Sequence, residues 1–118
     1  MNHKIKRWSS SSPGRSRMVS FENIVWVVST VANVPDFNAE VIKCLSSLEE
    51  SLMEAGSDKN HLLSVQVILQ KIENREAFNT IWNDWIGSDP GSWPQRAVYG
   101  ANLVPGLEIE IIATAAVI

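Results

Sequence analysis

The spacing of apolar residues changes period between Asp36 and Ile72, and that change does most to limit what this chain can fold into. In "DFNAEVIKCLSSLEESLMEAG", Phe37, Val41, Ile42, Leu45, Leu48 and Leu52 recur at three-and-four spacing, which predicts one amphipathic helix. Asp36 or Asn38 is placed to cap its first amides, and Gly56 to end it. Directly after it, "HLLSVQVILQKI" alternates. Leu63, Val65, Val67 and Leu69 fall on one side and Ser64, Gln66 and Gln70 on the other, as in a strand with one covered face.

The same switch recurs downstream. "ENREAFNTIWNDWIG" places Phe78, Ile81, Trp82, Trp85 and Ile86 on one helical stripe, with Asn74 as N-cap and Gly87 as the stop. An aromatic stripe at this spacing reads as core before it reads as a ligand box. "QRAVYGANL" and "LEIEIIATAAV" then read as strands. The second is apolar at Leu107, Ile109 and Ile111, with Glu108 and Glu110 on the opposite side. Upstream, "RMVSFENIVWVVSTV" reads as a hairpin turning at Glu22-Asn23, with Met18, Val27 and Val28 suited to the buried face. Two helices over one face of a mixed sheet make an α+β layer fold, and 118 residues suffice for one domain with one core.

Charge is unevenly placed. Residues 1–17 carry Lys4, Lys6, Arg7, Arg15 and Arg17 and no acid, whereas the rest of the chain sums to −8, for a net charge of −3. Residues 1–14 form a basic, Ser-rich arm, read as a short edge strand "HKIKRW" followed by a flexible loop. A transit peptide or a nucleic-acid arm are the competing readings. The acidic body opposes the latter, so no nucleic-acid partner is expected. The single cysteine, Cys44, excludes an internal disulfide and fits a reducing compartment such as the cytoplasm. Apolar runs such as "IVWVV" are too short to span a membrane.

Little in the chain carries obvious chemistry. His3 and His61 lack companions at metal-ligand spacing, and there is no phosphate loop or nucleophile elbow, so no metal or cofactor is expected. Cys44 reads as a packing residue, because no base partner is visible for it. What remains is Arg96 at the start of a strand, with Glu108 and Glu110. Either Arg96 pairs with one of these glutamates across neighbouring antiparallel strands, or its planar fork grips a carboxylate from outside the chain.

The stretch "WPQRAVYGANLVPGLEIEIIATAA" resembles the signature of the RidA/YjgF family of reactive-intermediate (enamine/imine) deaminases. It has the Pro94-Gln95-Arg96 strand, the Val104-Pro105 turn and the closing Glu108-Ile109-Glu110-Ile111-Ile112-Ala113 strand. "LEESLMEAGSDKNHLLSVQVIL" is similar to the family's first helix and following strand. "NREAFNTIWNDWIG" is similar to its second helix, which commonly carries an aromatic and an Asn. The resemblance implies a chorismate-mutase-like α+β layer, assembled as a homotrimer with ligand clefts between subunits. It further implies hydrolysis of a 2-imino acid to a 2-keto acid and ammonia without a cofactor. In that scheme Arg96 binds the substrate carboxylate, Glu108 orients the water and Ser29 lines the cleft. Non-catalytic relatives leave a trimeric binder of small carboxylates such as 2-keto acids as the alternative, and an interaction protein using the N-terminal arm as a third. The chain departs from the family at Ser29-Thr30-Val31, where Ser-Gly-Gln is usual, and has no clear match for the aromatic of the first hairpin strand.

Overall fold

The structure is a computed structural model, and it describes residues 4–118. The strands are β1 (Ile5–Ser9), β2 (Ser16–Phe21), β3 (Ile24–Ser29), β4 (Leu62–Leu69), β5 (Gln95–Gly100) and β6 (Ile109–Ala116). Helices α1 (Phe37–Glu54) and α2 (Arg75–Ile86) precede β4 and β5. Every expected element is present in the expected order. The expected first strand included His3, which lies outside the described residues.

One six-stranded sheet runs β1-β2-β3-β6-β4-β5, and all neighbours are antiparallel except β4 and β5. The last strand therefore inserts at the centre. Its alternation explains why: Ile109, Ile111, Ala113 and Ala115 are buried on one side, while Glu110, Ile112 and Thr114 are partly exposed on the other. Both helices cover the first face. Their stripes (Val41, Leu45, Leu48 and Leu52 of α1; Phe78, Trp82 and Ile86 of α2) meet Val25, Val27, Val65 and Val67 in one core. The other face has no helix. It leaves Trp26, Val28 and Tyr99 between 42% and 48% exposed, in a slab only 20 Å deep.

Local chemistry accounts for the element ends. Phe21 pairs with Ile24, so Glu22-Asn23 makes a two-residue hairpin, with Glu22 at a positive φ of 54°. Asp36 caps α1 by accepting the Ala39 N–H at 2.9 Å. Gly56, at φ 84°, lets Ser57 N–H turn back to the Leu52 carbonyl at 2.8 Å. Asn74 does not cap α2 with its side chain. A 3-10 turn, Ile72–Asn74, leads into the helix and Arg75 N–H bonds the Ile72 carbonyl instead.

Three burial expectations change. Val28 faces the helix-free side, because Val27 takes the inward position and successive strand residues alternate. Leu63 is exposed and Leu62 buried, because the pairing of β4 with β6 shifts register between Leu62 and Ser64. Ile42 is 57% exposed, and its place in the stripe is taken by Cys44 and, unexpectedly, Glu40.

The turn before β6 is tied to the segment after β3 by a 2.9 Å bond from Asn33 N–H to the Gly106 carbonyl. Gly106 has φ 96°, and a Cβ there would sit 2.7 Å from Asn33 Oδ1. Gly106→Ala is expected to lose about 1–3 kcal/mol of stability through strain. A urea melt should show a lower midpoint at unchanged slope.

Candidate functional site

Arg96 lies on the edge strand β5, in register with Val65 of β4. Its alternation directs the side chain to the helix side, under α2. There Nη2 donates to Asn79 Oδ1 at 2.8 Å, and the guanidinium carbon stands 5.4 Å from the ring centroids of both Phe78 and Trp82. The aromatic stripe is core, as its spacing predicts, but two of its rings also form the floor beneath a cation. Burial, and secondarily the charge of Arg75, hold the Arg96 pKa below its ordinary value.

The cross-strand ion pair with Glu108 or Glu110 does not form. β4 lies between β5 and β6, so Arg96 and these glutamates are not on neighbouring strands. Arg17 pairs with Glu54 and His61 contacts Asp58, and among the described residues no carboxylate lies within 4.0 Å of Arg96. A half-buried guanidinium is thus held by a neutral amide and two rings, with most of its N–H donors unassigned.

Glu108 stands just ahead of β6, beside an open hollow of about 560 Å³ lined by Asn33, Phe37, Glu40, Lys71, Asn74 and Gly106. Its backbone is clamped. Glu40, 0% exposed, accepts the N–H groups of Glu108 at 2.8 Å and Ile109 at 3.2 Å through Oε2. Gln70 N–H bonds the Glu108 carbonyl at 3.0 Å. Glu40 is the positioning residue that pattern reading passed over. Its signal was available, since an acid three residues after Phe37 and four before Cys44 sits inside the apolar stripe of α1.

Ser29 is not on an open wall. It is 3% exposed, its hydroxyl donates to the Cys44 carbonyl at 2.9 Å, and the Cys44 thiol donates back to the Ser29 carbonyl at 3.2 Å. Within the chain, this side chain fastens the end of β3 to α1. Burial pushes the Cys44 thiol up to about 11, which leaves it protonated and unreactive at neutral pH.

One chain does not bring Arg96 and Glu108 together. Arg96 is level with Val65, whereas Glu108 is level with Gln70. Five residues of β4 separate those levels, roughly 17 Å at about 3.3 Å per residue. No small acid touches both within a single subunit. Among the described residues, no group of three or more His, Cys, Asp or Glu could hold a metal ion, and no helix is long and apolar enough to cross a membrane.

Fold and site together define a small α+β layer protein with an unmatched strand arginine and a clamped glutamate just ahead of the last strand. Residues 18–117 match the family model described as Endoribonuclease L-PSP, and the chain belongs to that family, which is also the YjgF/Rid family. A RutC family protein from Haemophilus ducreyi is 31% identical over 74 residues, which is 62% of each chain. A member of the YjgF protein family from Neisseria meningitidis superposes with a TM-score of 0.87 at 25% identity, covering 98% of this chain and 97% of that one. A Pseudomonas aeruginosa structure gives 0.86 at 29% identity over 98% and 100% of the two chains. The mixed sheet with two helices is the fold of these proteins.

Proposed function

We propose that this protein hydrolyses reactive 2-imino acids to 2-keto acids and ammonia, in clefts between the subunits of a homotrimer. The observation that carries the reading is Arg96, a cation held on Phe78 and Trp82 with no anion supplied by the described residues. Holding a guanidinium partly out of water costs free energy that a bound carboxylate recovers through two parallel hydrogen bonds.

The separation of Arg96 from Glu108 asks for a second copy. The helix-free face, with Trp26, Val28 and Tyr99 exposed, is the surface such a copy covers. In the assembled cleft Arg96 fixes the substrate carboxylate, and the partner subunit's Glu108 takes a proton from water as its oxygen adds to the imine carbon. The same carboxyl returns the proton to nitrogen, giving a carbinolamine. It then takes the proton of the new hydroxyl and passes it to nitrogen as the carbon–nitrogen bond breaks, releasing ammonia and leaving the keto group. Atoms balance with water alone, and the reaction needs no cofactor. Cys44, buried and reduced, suits a cytoplasmic setting.

Two measurements test this. Sedimentation equilibrium at micromolar concentration is expected to give three times the chain mass of 13.1 kDa. A monomer there would remove the shared cleft. With 2-iminobutanoate generated in place by a threonine dehydratase, added protein is expected to speed ammonia release. Keto-acid binding without faster release would instead identify a carboxylate-binding trimer.

A further inference from the structure

The charge around Arg96 is larger than one carboxylate matches. α2 begins at Arg75, four residues before Asn79, so the two side chains lie one above the other on the same helix face. Asn79 is the residue that holds Arg96. Arg75 therefore stands one helical turn, about 6 Å along the axis, from the anchor of the first guanidinium.

Arg75 is badly placed for stability. A cation in the first turn of a helix opposes the positive end of the helix dipole. Asn74 gives that end no side-chain cap. Arg75 and Arg96 also repel each other, which contributes to the lowered pKa of Arg96. Glu73 and Glu76 flank Arg75 in sequence, but positions two before and one after do not share its helix face. Among the described residues neither guanidinium has a carboxylate within 4.0 Å. Two guanidinium groups, one on the first turn of α2 and one held by Asn79 a turn further on, thus lie along the uncapped half of that helix.

We propose that Arg75 and Arg96 form a two-guanidinium clamp that selects a dianionic ligand, a 2-imino acid or its 2-keto product bearing a second carboxylate on its side chain. This rests on the reading of Arg96 as the anchor for the reacting acid's own carboxylate. A monocarboxylate leaves Arg75 unmatched. A four- or five-carbon diacid reaches both groups and relieves their repulsion.

The test is calorimetric titration of the full chain with 2-oxobutanoate and 2-oxoglutarate at equal ionic strength. The diacid is expected to bind at least about tenfold tighter. Arg75→Gln, at an exposed position that should not disturb folding, is expected to reduce that preference about tenfold, and Arg75→Lys to keep most of it. A wild-type chain that binds both acids equally, or an R75Q variant that keeps the full preference, overturns the clamp alone. Failure of both acids to bind the wild type overturns the Arg96 anchor, and the clamp with it.

Discussion

Arg96→Ala is expected to lower kcat/KM for 2-iminobutanoate by about a hundredfold or more while leaving the fold intact. The reason is the geometry of the guanidinium. It rests on Phe78 and Trp82, bonds neutral Asn79 and meets no acid among the described residues, so its removal breaks no ion pair of the chain. What the proposed function loses is the two-point hold on the substrate carboxylate. Removing one partner of a buried charge pair costs about 3 kcal/mol, which is about a hundredfold in rate. Arg96→Lys keeps the charge but not the planar fork, and should recover only part of the loss. Circular dichroism and a thermal melt check that the variant is folded. A variant with wild-type kcat/KM would show that Arg96 is only a structural charge.

The second large effect concerns Glu108. Glu108→Gln keeps size and backbone, including the bonds from its own N–H and that of Ile109 to Glu40, but cannot take a proton from water. A loss of about a hundredfold or more in kcat is expected, in the range for general-base catalysis. The pair of variants has a further consequence. Arg96 and Glu108 stand far apart in one chain, so in the proposed trimer each cleft combines Arg96 from one subunit with Glu108 from the next. Refolding inactive R96A and E108Q chains together in equal amounts is then expected to restore about a quarter of wild-type activity, from trimers in which an intact Arg96 meets an intact Glu108. No recovery in mixed trimers would place both residues in the same subunit's site, or one of them outside it.

Most of the fold was legible because its determinants are local. Alternation marked β4 and β6, the three-and-four stripe marked α1 and α2, and Asp36, Gly56 and Gly87 marked helix ends. Two of the failures came from a partner distant in sequence. Leu63 turned outward through a register shift against β6. Arg96 lost its candidate glutamate partners because β4 sits between β5 and β6, an order that periodicity does not carry. Asn74 gave way as a cap because a 3-10 turn already supplied the helix start.

The site was legible in a different degree. Arg96 and Glu108 stood out as charges on apolar strands, and the resemblance of the closing signature assigned them roles. Ser29 stood out by position alone, and the bond of its hydroxyl to the Cys44 carbonyl depends on α1 packing against β3. Asn79 and Glu40 were passed over for opposite reasons. Asn79 looks like any polar residue on a helix, whereas Glu40 interrupts an apolar stripe that seemed complete without it. Each acts through a long-range contact, Asn79 with β5 and Glu40 with the start of β6.

The most direct test is a race for the imine. A threonine dehydratase produces 2-iminobutanoate, semicarbazide traps it, and the chain competes with the trap. Wild-type protein is expected to suppress semicarbazone formation in proportion to its concentration. Unchanged trapping at all protein concentrations would contradict deamination of this imine.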